Sequence, residues 1–303
     1  MRYLIIGTGG TGGAVGGFLA AAGYDVTFIA RGAHLAAMKE KGLVVKSGIK
    51  GEFRIAQPRA CTAEEYHGTP DVAFVCVKGY SLDDAETLLR RCAGDKTIII
   101  PILNIFGTGE ELQRRLPKPH VLDGRIYITS YMSGPGEITQ GGKLFTVVFG
   151  ERDGHVGSEL EKIAKELENS GIRPDLTGDI RRKCFQKYAF ISAMATVGAY
   201  YDAPTGVVSS APDMREMFIS LSKEIDALAD AMNIPFEEDI VAKNLRLLDT
   251  AAPDTTASLQ KDLKNGKNSE IDGLIFEPVR LGKRYHVETP AFLMAAQKFG
   301  FKG

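Results

Sequence analysis

The sequence predicts two domains: an α/β domain over residues 1–178, with a parallel sheet, and an all-α domain over residues 179–303. Three observations carry this. Short apolar runs alternate with helix-forming stretches from residue 2 to residue 103, the pattern of a parallel sheet with helical crossovers. Strand signals fade after residue 180, while helical spacing continues. Between the two regimes, "IRPDLTGDI" (172–180) gathers Pro, Asp and Gly and marks a boundary.

The elements follow in order. "RYLII" (2–6) is a β-type run that ends at Gly7. "AVGGFLAAAGY" (14–24) reads as a small-residue helix stopped by Gly23, and "DVTFIA" (25–30) as a second strand. "AHLAAMKEKG" (33–42) reads as a helix with Gly42 as its C-terminal stop. "DVAFVCV" (71–77) is continuously apolar, as in a strand buried on both faces. A helix over 81–92 and a buried strand, "KTIIIPIL" (96–103), follow. "HVLDGRIYITSYM", "GEITQG" and "KLFTVVFG" read as successive strands between 120 and 150. "SELEKIAKELENSG" (158–171) spaces Leu160, Ile163, Ala164 and Leu167 for an amphipathic helix. Helices are expected over 180–201, 212–232, 237–250, 255–265, 270–284 and 289–299. Asp213 and Thr289 are read as N-caps, the latter followed by Pro at the first helical position.

Composition narrows the partners. With 37 basic and 38 acidic residues the net charge is −1, which argues against nucleic acid or an anionic membrane. Cys61, Cys76, Cys92 and Cys184 are widely separated and form no CxxC pair, which suits reduced cytoplasmic thiols, and no metal site is expected. Residues 3–24 are uncharged, but eight glycines interrupt them, so neither a signal peptide nor a membrane span is expected.

"GTGGTGG" (7–13) carries the first chemistry. Gly7, Gly9 and Gly12 fit G-x-G-x-x-G, following a strand and opening a helix. In that context Gly7 allows a tight turn, Gly9 leaves room for a pyrophosphate, and Gly12 lets the helix approach the strand. Residues Gly7, Thr8, Gly9, Gly10, Thr11 and Gly12 are therefore read as cofactor-binding. The helix N-terminus would present N–H groups to the phosphates. So dense a glycine tract is entropically costly, and close contact with a ligand would justify it. The second strand ends in "FIARGAH", with Arg31 where an NAD-binding carboxylate would stand. A guanidinium binds a 2′-phosphate bidentately, a contact of about 1.5–3 kcal/mol, or about ten- to a hundredfold preference. The cofactor expected is NADP(H), with Lys78, after "FVCV", as a second cation.

The stretch "CFQKYAFISAMATVGAYY" (184–201) holds one charge, Lys187, in a helix apolar on every face. An ammonium there either snorkels to solvent or serves a cleft, where it would protonate a carbonyl oxygen as hydride arrives at carbon. "TTASLQKDLKNGKNSEIDGL" (255–274) sets Ser258 and Glu270 on either side of an "NG" turn.

With these stretches, "VKGY" (77–80), "LNIFGTGEEL" (103–112) and "KCFQKYAF" (183–190), the chain resembles the ketopantoate reductases, nearly end to end. The resemblance implies a Rossmann-type dinucleotide-binding domain joined to a helical domain. It implies hydride transfer from NADPH to a 2-oxo acid, ketopantoate, in pantothenate and coenzyme A synthesis. By position it makes Lys187 the general acid and Glu270 the partner of the substrate's hydroxyl end. Ser258 falls near the substrate carboxylate, Asn104 near nicotinamide and substrate, and Arg31 and Lys78 at the NADP phosphate. The chain departs from the family at three positions. Ile191 and Ala195 stand where asparagines are common, and Ile105 stands where glycine is. Ile191 and Ala195 admit a bulkier, more apolar 2-oxo acid, or a non-catalytic NADP(H)-binding sensor. The expected partner is a small 2-oxo acid; a homodimer is admitted.

Overall fold

The computed structural model describes residues 1–302. The chain forms two compact units, one of Met1–Leu103 with Gly107–Ile180, the other of Asn104–Phe106 with the chain from Arg181 onward. The three-residue tract 104–106, which the sequence places in the first domain, thus packs with the helices of the second.

The first unit runs β1 (Arg2–Ile6), α1 (Gly10–Ala21), β2 (Asp25–Ile29), α2 (Gly32–Lys41), β3 (Leu43–Ser47), β4 (Gly51–Ile55), β5 (Arg59–Cys61) and β6 (Val72–Val75). It continues with a 3-10 turn (Gly79–Ser81), α3 (Leu82–Cys92), β7 (Ile98–Pro101), α4 (Thr108–Arg115), β8 (His120–Val121), β9 (Asp123–Gly134), β10 (Glu137–Gly150), α5 (Ser158–Asn169) and β11 (Arg173–Leu176). Six strands form a parallel sheet in the order β5-β2-β1-β6-β7-β8. Strand order reverses between β1 and β6, where such sheets bind ligands beyond the strands' carboxyl ends. Every residue of β6 and β7 is buried, as their unbroken apolar runs require.

A second sheet has the order β11-β10-β3-β4, with β9 antiparallel to β10. "GEITQG" and "KLFTVVFG" are one strand, β10, with its register shifted between Gly141 and Phe145. The presumed boundary at 172–180 contains β11, which pairs in parallel with Thr146–Phe149 of β10.

The two sheets together explain most of the glycines between Gly7 and Gly17. Helix α1 lies against strands of both sheets, and its glycines are the points of closest approach. A Cβ placed on Gly16 would come within 2.8 Å of Ile5 Cγ1 in the first sheet. On the other side, a Cβ on Gly10 would lie 2.6 Å from the Tyr131 Cα of β9, and one on Gly17 would lie 2.8 Å from Val45 Cγ2 of β3. The glycine density is therefore chiefly a packing requirement between protein segments, not the mark of a ligand alone. The helix also starts earlier than its apolar pattern suggests, at Gly10.

The second unit is helical: α6 (Ile180–Tyr201), α7 (Thr205–Ser210), α8 (Pro212–Ala231), α9 (Ile240–Thr250), α10 (Ser258–Lys264), a π-helical turn (Asp272–Phe276), α11 (Glu277–Tyr285) and α12 (Pro290–Lys298). Its core gathers Phe185, Tyr188 and Ala195 of α6, Phe218 and Leu221 of α8, and Phe292 of α12. Asp213 is not a cap: Ala211 takes that position and Pro212 starts the helix. Thr289 does precede α12, but the caps are supplied by Glu224 of α8, whose carboxylate accepts from the N–H of Ala291 (2.6 Å) and Phe292 (3.0 Å). Burial pushes the Glu224 carboxyl up, and the two N–H donors oppose that shift.

All four cysteines are free. Among the described residues no helix is long and apolar enough to cross a membrane, and no group of three or more His, Cys, Asp or Glu could hold a metal.

A two-pronged ion pair links α8 to α9. Arg215 Nη1 and Nη2 donate to Asp249 at 2.6 and 2.9 Å, and Ser209 of α7 adds a bond at 2.5 Å. The bonds from Arg215, then from Ser209, hold the Asp249 carboxyl down at about 2 against an ordinary 3.8. A depressed carboxylate contributes stability above its unfolded value and loses it as pH falls through the folded one. Asp249→Asn should therefore be less stable than the parent at pH 7, the two converging between about pH 4 and about pH 2. Urea unfolding across that range checks this; a constant difference would show that the ion pair contributes nothing.

Candidate functional site

In the first unit, β1 ends at Gly7, whose φ of +94° is a left-handed conformation that only glycine adopts freely. Any Cβ there would also meet Val77 Cγ1 at 2.9 Å. The chain turns, and Gly9 becomes the N-cap of α1. Gly9 differs from its neighbours: a Cβ on it would meet nothing within 4 Å. The space beside it is open, and the first-turn N–H groups of α1 have no acceptors within the helix. A backbone open at the N-terminus of a 12-residue helix suits a phosphate, so the residues present fit a dinucleotide pyrophosphate.

The remaining residues of the loop hold its shape. Thr8 is buried, and its hydroxyl donates to the Ile29 carbonyl of β2 at 2.9 Å, while its N–H reaches the same oxygen at 3.2 Å. The Thr8 side chain thus braces the loop, leaving backbone groups to face a ligand. Thr11 sits half-buried in the first turn, and a Cβ on Gly12 would strike the Gly7 carbonyl oxygen.

Two cations flank the loop from the neighbouring strands. Arg31 follows β2, is exposed and serves as N-cap of α2 in extended backbone. Neither Gly32 nor Ala33 beside it carries a charge that would repel a phosphate. Lys78 follows β6 and begins the 3-10 turn, one residue after the Val77 that lies against Gly7. His34 is a group that the sequence reading passed over. Its Nδ1 accepts from the Gly136 N–H at 2.9 Å, tying the β9–β10 turn to α2, and burial lowers its pKa.

In the second unit, Lys187 is half-buried on α6, and its Nζ donates to Asn104 Oδ1 at 2.8 Å. These residues are 83 apart in sequence. Glu270 is buried, with 4% exposure, just before the π-helical turn, and its carbonyl accepts from the Leu274 N–H. Ser258 is the exposed first residue of α10. Its neighbour Gln260 is the buried member: Oε1 accepts from the Ala257 N–H at 2.8 Å and Nε2 donates to the Ala203 carbonyl at 3.1 Å.

The three apolar departures separate in the structure. Ala195 is 1% exposed within the helical core. Ile105 lies on Gly273, where an added Cβ would come 2.6 Å from its Cγ1. Ile105 and Ile191 are both half-buried, Ile191 one turn beyond Lys187 and packed in part against the helical core.

The model of the ketopantoate reductase PanE/ApbA family matches residues 3–154, and that of its C-terminal region matches residues 179–302. An uncharacterized oxidoreductase of Bacillus subtilis, YkpB, is 30% identical over 96% of this chain and 95% of its own. A 2-dehydropantoate 2-reductase of Archaeoglobus fulgidus is 29% identical over 95% of this chain and 92% of its own. The crystal structure of 2-dehydropantoate 2-reductase from Methylococcus capsulatus superposes with a TM-score of 0.88 at 26% identity, covering 99% of this chain and 96% of that one.

The glycines make a divided prediction. Gly9→Ala should leave the unfolding midpoint unchanged and weaken NADPH binding, because its Cβ would enter open space that a phosphate needs. Gly10→Ala should destabilise by about 1–3 kcal/mol, because the backbone of β9 cannot give way. Urea unfolding and cofactor titration of both variants distinguish them; matching behaviour would refute the division. Arg31→Ala should weaken NADPH about ten- to a hundredfold and NADH hardly at all. Equal losses would mean that Arg31 does not read the 2′-phosphate.

Proposed function

This chain belongs to the ketopantoate reductase family, NADP-dependent oxidoreductases acting on CH–OH groups, and on that premise we propose that it reduces a 2-oxo acid with NADPH. The leading substrate is 2-dehydropantoate (ketopantoate), reduced to pantoate on the way to pantothenate and coenzyme A. The observation that carries the reading is the 2.8 Å bond from Lys187 Nζ to Asn104 Oδ1. An ammonium in a helix otherwise uncharged from 184 to 201 needs acceptors, and the Asn104 amide oxygen is one of them.

The chemistry follows from donor capacity. The cofactor, held by Gly7–Gly12 with Arg31 and Lys78 on its 2′-phosphate, supplies a hydride when bound. As the ketone carbon gains that hydride, its oxygen gains negative charge. Lys187 gives the oxygen a proton, and the Nζ–H left behind stays oriented by Asn104. Proton donation by a positioned side chain contributes about 10²–10⁴-fold. Glu270 accepts from the substrate's hydroxyl end, and Ser258, at the start of α10, takes the carboxylate end.

A second reading keeps the reaction and changes the substrate to a more apolar 2-oxo acid. Its support is Ile191, which is half-buried one turn beyond Lys187; Ala195 lies inside the helical core and Ile105 lies against Gly273. A sensor without catalysis has less behind it, because both ionisable groups and the Asn104 contact are retained.

Lys187→Ala should lower kcat/KM by about 10²–10⁴-fold with NADPH affinity unchanged. Steady-state kinetics alongside cofactor titration measure both; undiminished turnover would remove the lysine from the mechanism. Across a panel of 2-oxo acids, ketopantoate should show the highest kcat/KM. A branched apolar oxo acid ahead of it, with the order reversed by Ile191→Asn, would favour the second reading.

A further inference from the structure

The groups assigned to the chemistry come from three separate elements of the helical unit. Lys187 is on α6, Asn104 is in the 104–106 tract, and Glu270 leads into the π-helical turn. Beside each lies a contact that reaches the same place. Tyr188, next to Lys187 and 2% exposed, donates its hydroxyl to the Gly273 carbonyl at 2.8 Å. Ser192, one turn further along α6, donates to the Leu274 carbonyl at 2.6 Å. Ile105, next to Asn104, covers Gly273. Phe106 packs on Phe185 of α6, with ring centroids 4.6 Å apart.

The turn that receives these contacts is irregular. The Glu277 N–H reaches back five residues to the Asp272 carbonyl, widening the helix locally. Such a bulge takes carbonyls out of the regular ladder, and here two α6 hydroxyls satisfy carbonyls within it. Gly273 is not among the glycines of positive φ, so its backbone does not demand glycine. The demand comes from Ile105: an added Cβ would lie 2.6 Å from Cγ1 and 3.1 Å from Cγ2.

We propose that Ile105 and Gly273 are a complementary pair that sets the Asn104–Lys187 contact. The π-helical turn, held by Tyr188 and Ser192, is their common seat. All four are positioning residues. The inference rests on the reading of Lys187 as proton donor, and it supplies what keeps that donor aimed. A larger residue at 273 pushes Ile105 away, and Asn104, its neighbour in the chain, moves with it.

The test is a compensating pair. Gly273→Ala should lower kcat by up to about a hundredfold, the effect of displacing a catalytic group by about 1 Å. The KM for NADPH should stay within about twofold, because the glycine loop belongs to the other unit. Ile105→Ala added to Gly273→Ala reopens the space and should return kcat to within about threefold of a protein carrying Ile105→Ala alone. A folded double variant with no recovery overturns the pairing. Tyr188→Phe keeps the ring and removes only the hydroxyl; an unchanged kcat overturns the role given to the turn. The thermal midpoint provides a readout apart from activity: Gly273→Ala lowers it, and the second substitution restores most of the loss. Should the parent reduce no 2-oxo acid, the functional reading fails by itself, and recovery of the midpoint, or its absence, decides the pairing.

Discussion

A helix whose closest approaches to two sheets are made at glycines is the constraint from which the first unit is built. Helix α1 approaches β1 and β2 at Gly12 and Gly16, and β9, β10 and β3 at Gly10, Gly13 and Gly17. Any Cβ at these positions would lie closer to a neighbour than packed atoms stand. The second sheet can therefore rest directly on the helix that starts at the glycine turn. With a glycine at each close approach there is little room to shift, so the loop ahead of α1 is held from both sides. Gly9 stands apart as the glycine on open space, and its freedom depends on the rigidity of the rest.

The second unit solves a different problem, that of keeping a charge where the helix is apolar. Lys187 is retained on α6 because a chain segment from far away in sequence delivers an amide oxygen to it. That segment must itself be anchored, and Ile105 and Phe106 anchor it through contacts that require no charge. The polar contact is thus set by apolar packing around it. Van der Waals contact changes steeply with distance, and it fixes position more tightly than one hydrogen bond at a half-exposed site.

How much of this can be read from sequence depends on how local the cause is. Strand β1, the glycine turn and helix α1 announce themselves because their signals are adjacent. Arg31 is recognisable because it follows a strand directly. Strands β3, β4, β5 and β11 leave weak traces: "GEFRI", "RAC" and "RPDL" are short and mostly exposed or half-exposed, so no clear alternation marks them. Without β3, β4 and β11 the strands read between 120 and 150 do not disclose a second sheet against α1, and the glycines facing it look like ligand glycines. Lys187 stands out as a lone charge, whereas its pairing with Asn104 across 83 residues is a tertiary fact. His34, Gln260 and Glu224 carry no motif; each is identified by what it bonds. The assignment of Asp213 as a cap failed because the preceding Pro212 had already started the helix.

The apolar departures show why a residue's chemistry has to be weighed together with its position. Three replacements of polar or small residues by apolar ones suggest, on paper, a pocket remade for an apolar substrate. Ala195 is inside the core, where an asparagine would need its own buried partners. Ile105 has a matching absence at Gly273, so its bulk is accommodated by the fold. Ile191 also packs in part against the helical core, but it stays half-buried one turn beyond Lys187, and on the proposed reading it is the one placed to bear on specificity. A single side chain of this size discriminates between substrates by about 1–3 kcal/mol, enough to tilt a preference. On the proposed reading the Lys187–Asn104 contact is set by the seat at Gly273 and substrate preference by Ile191, so the two fall on different residues of this unit.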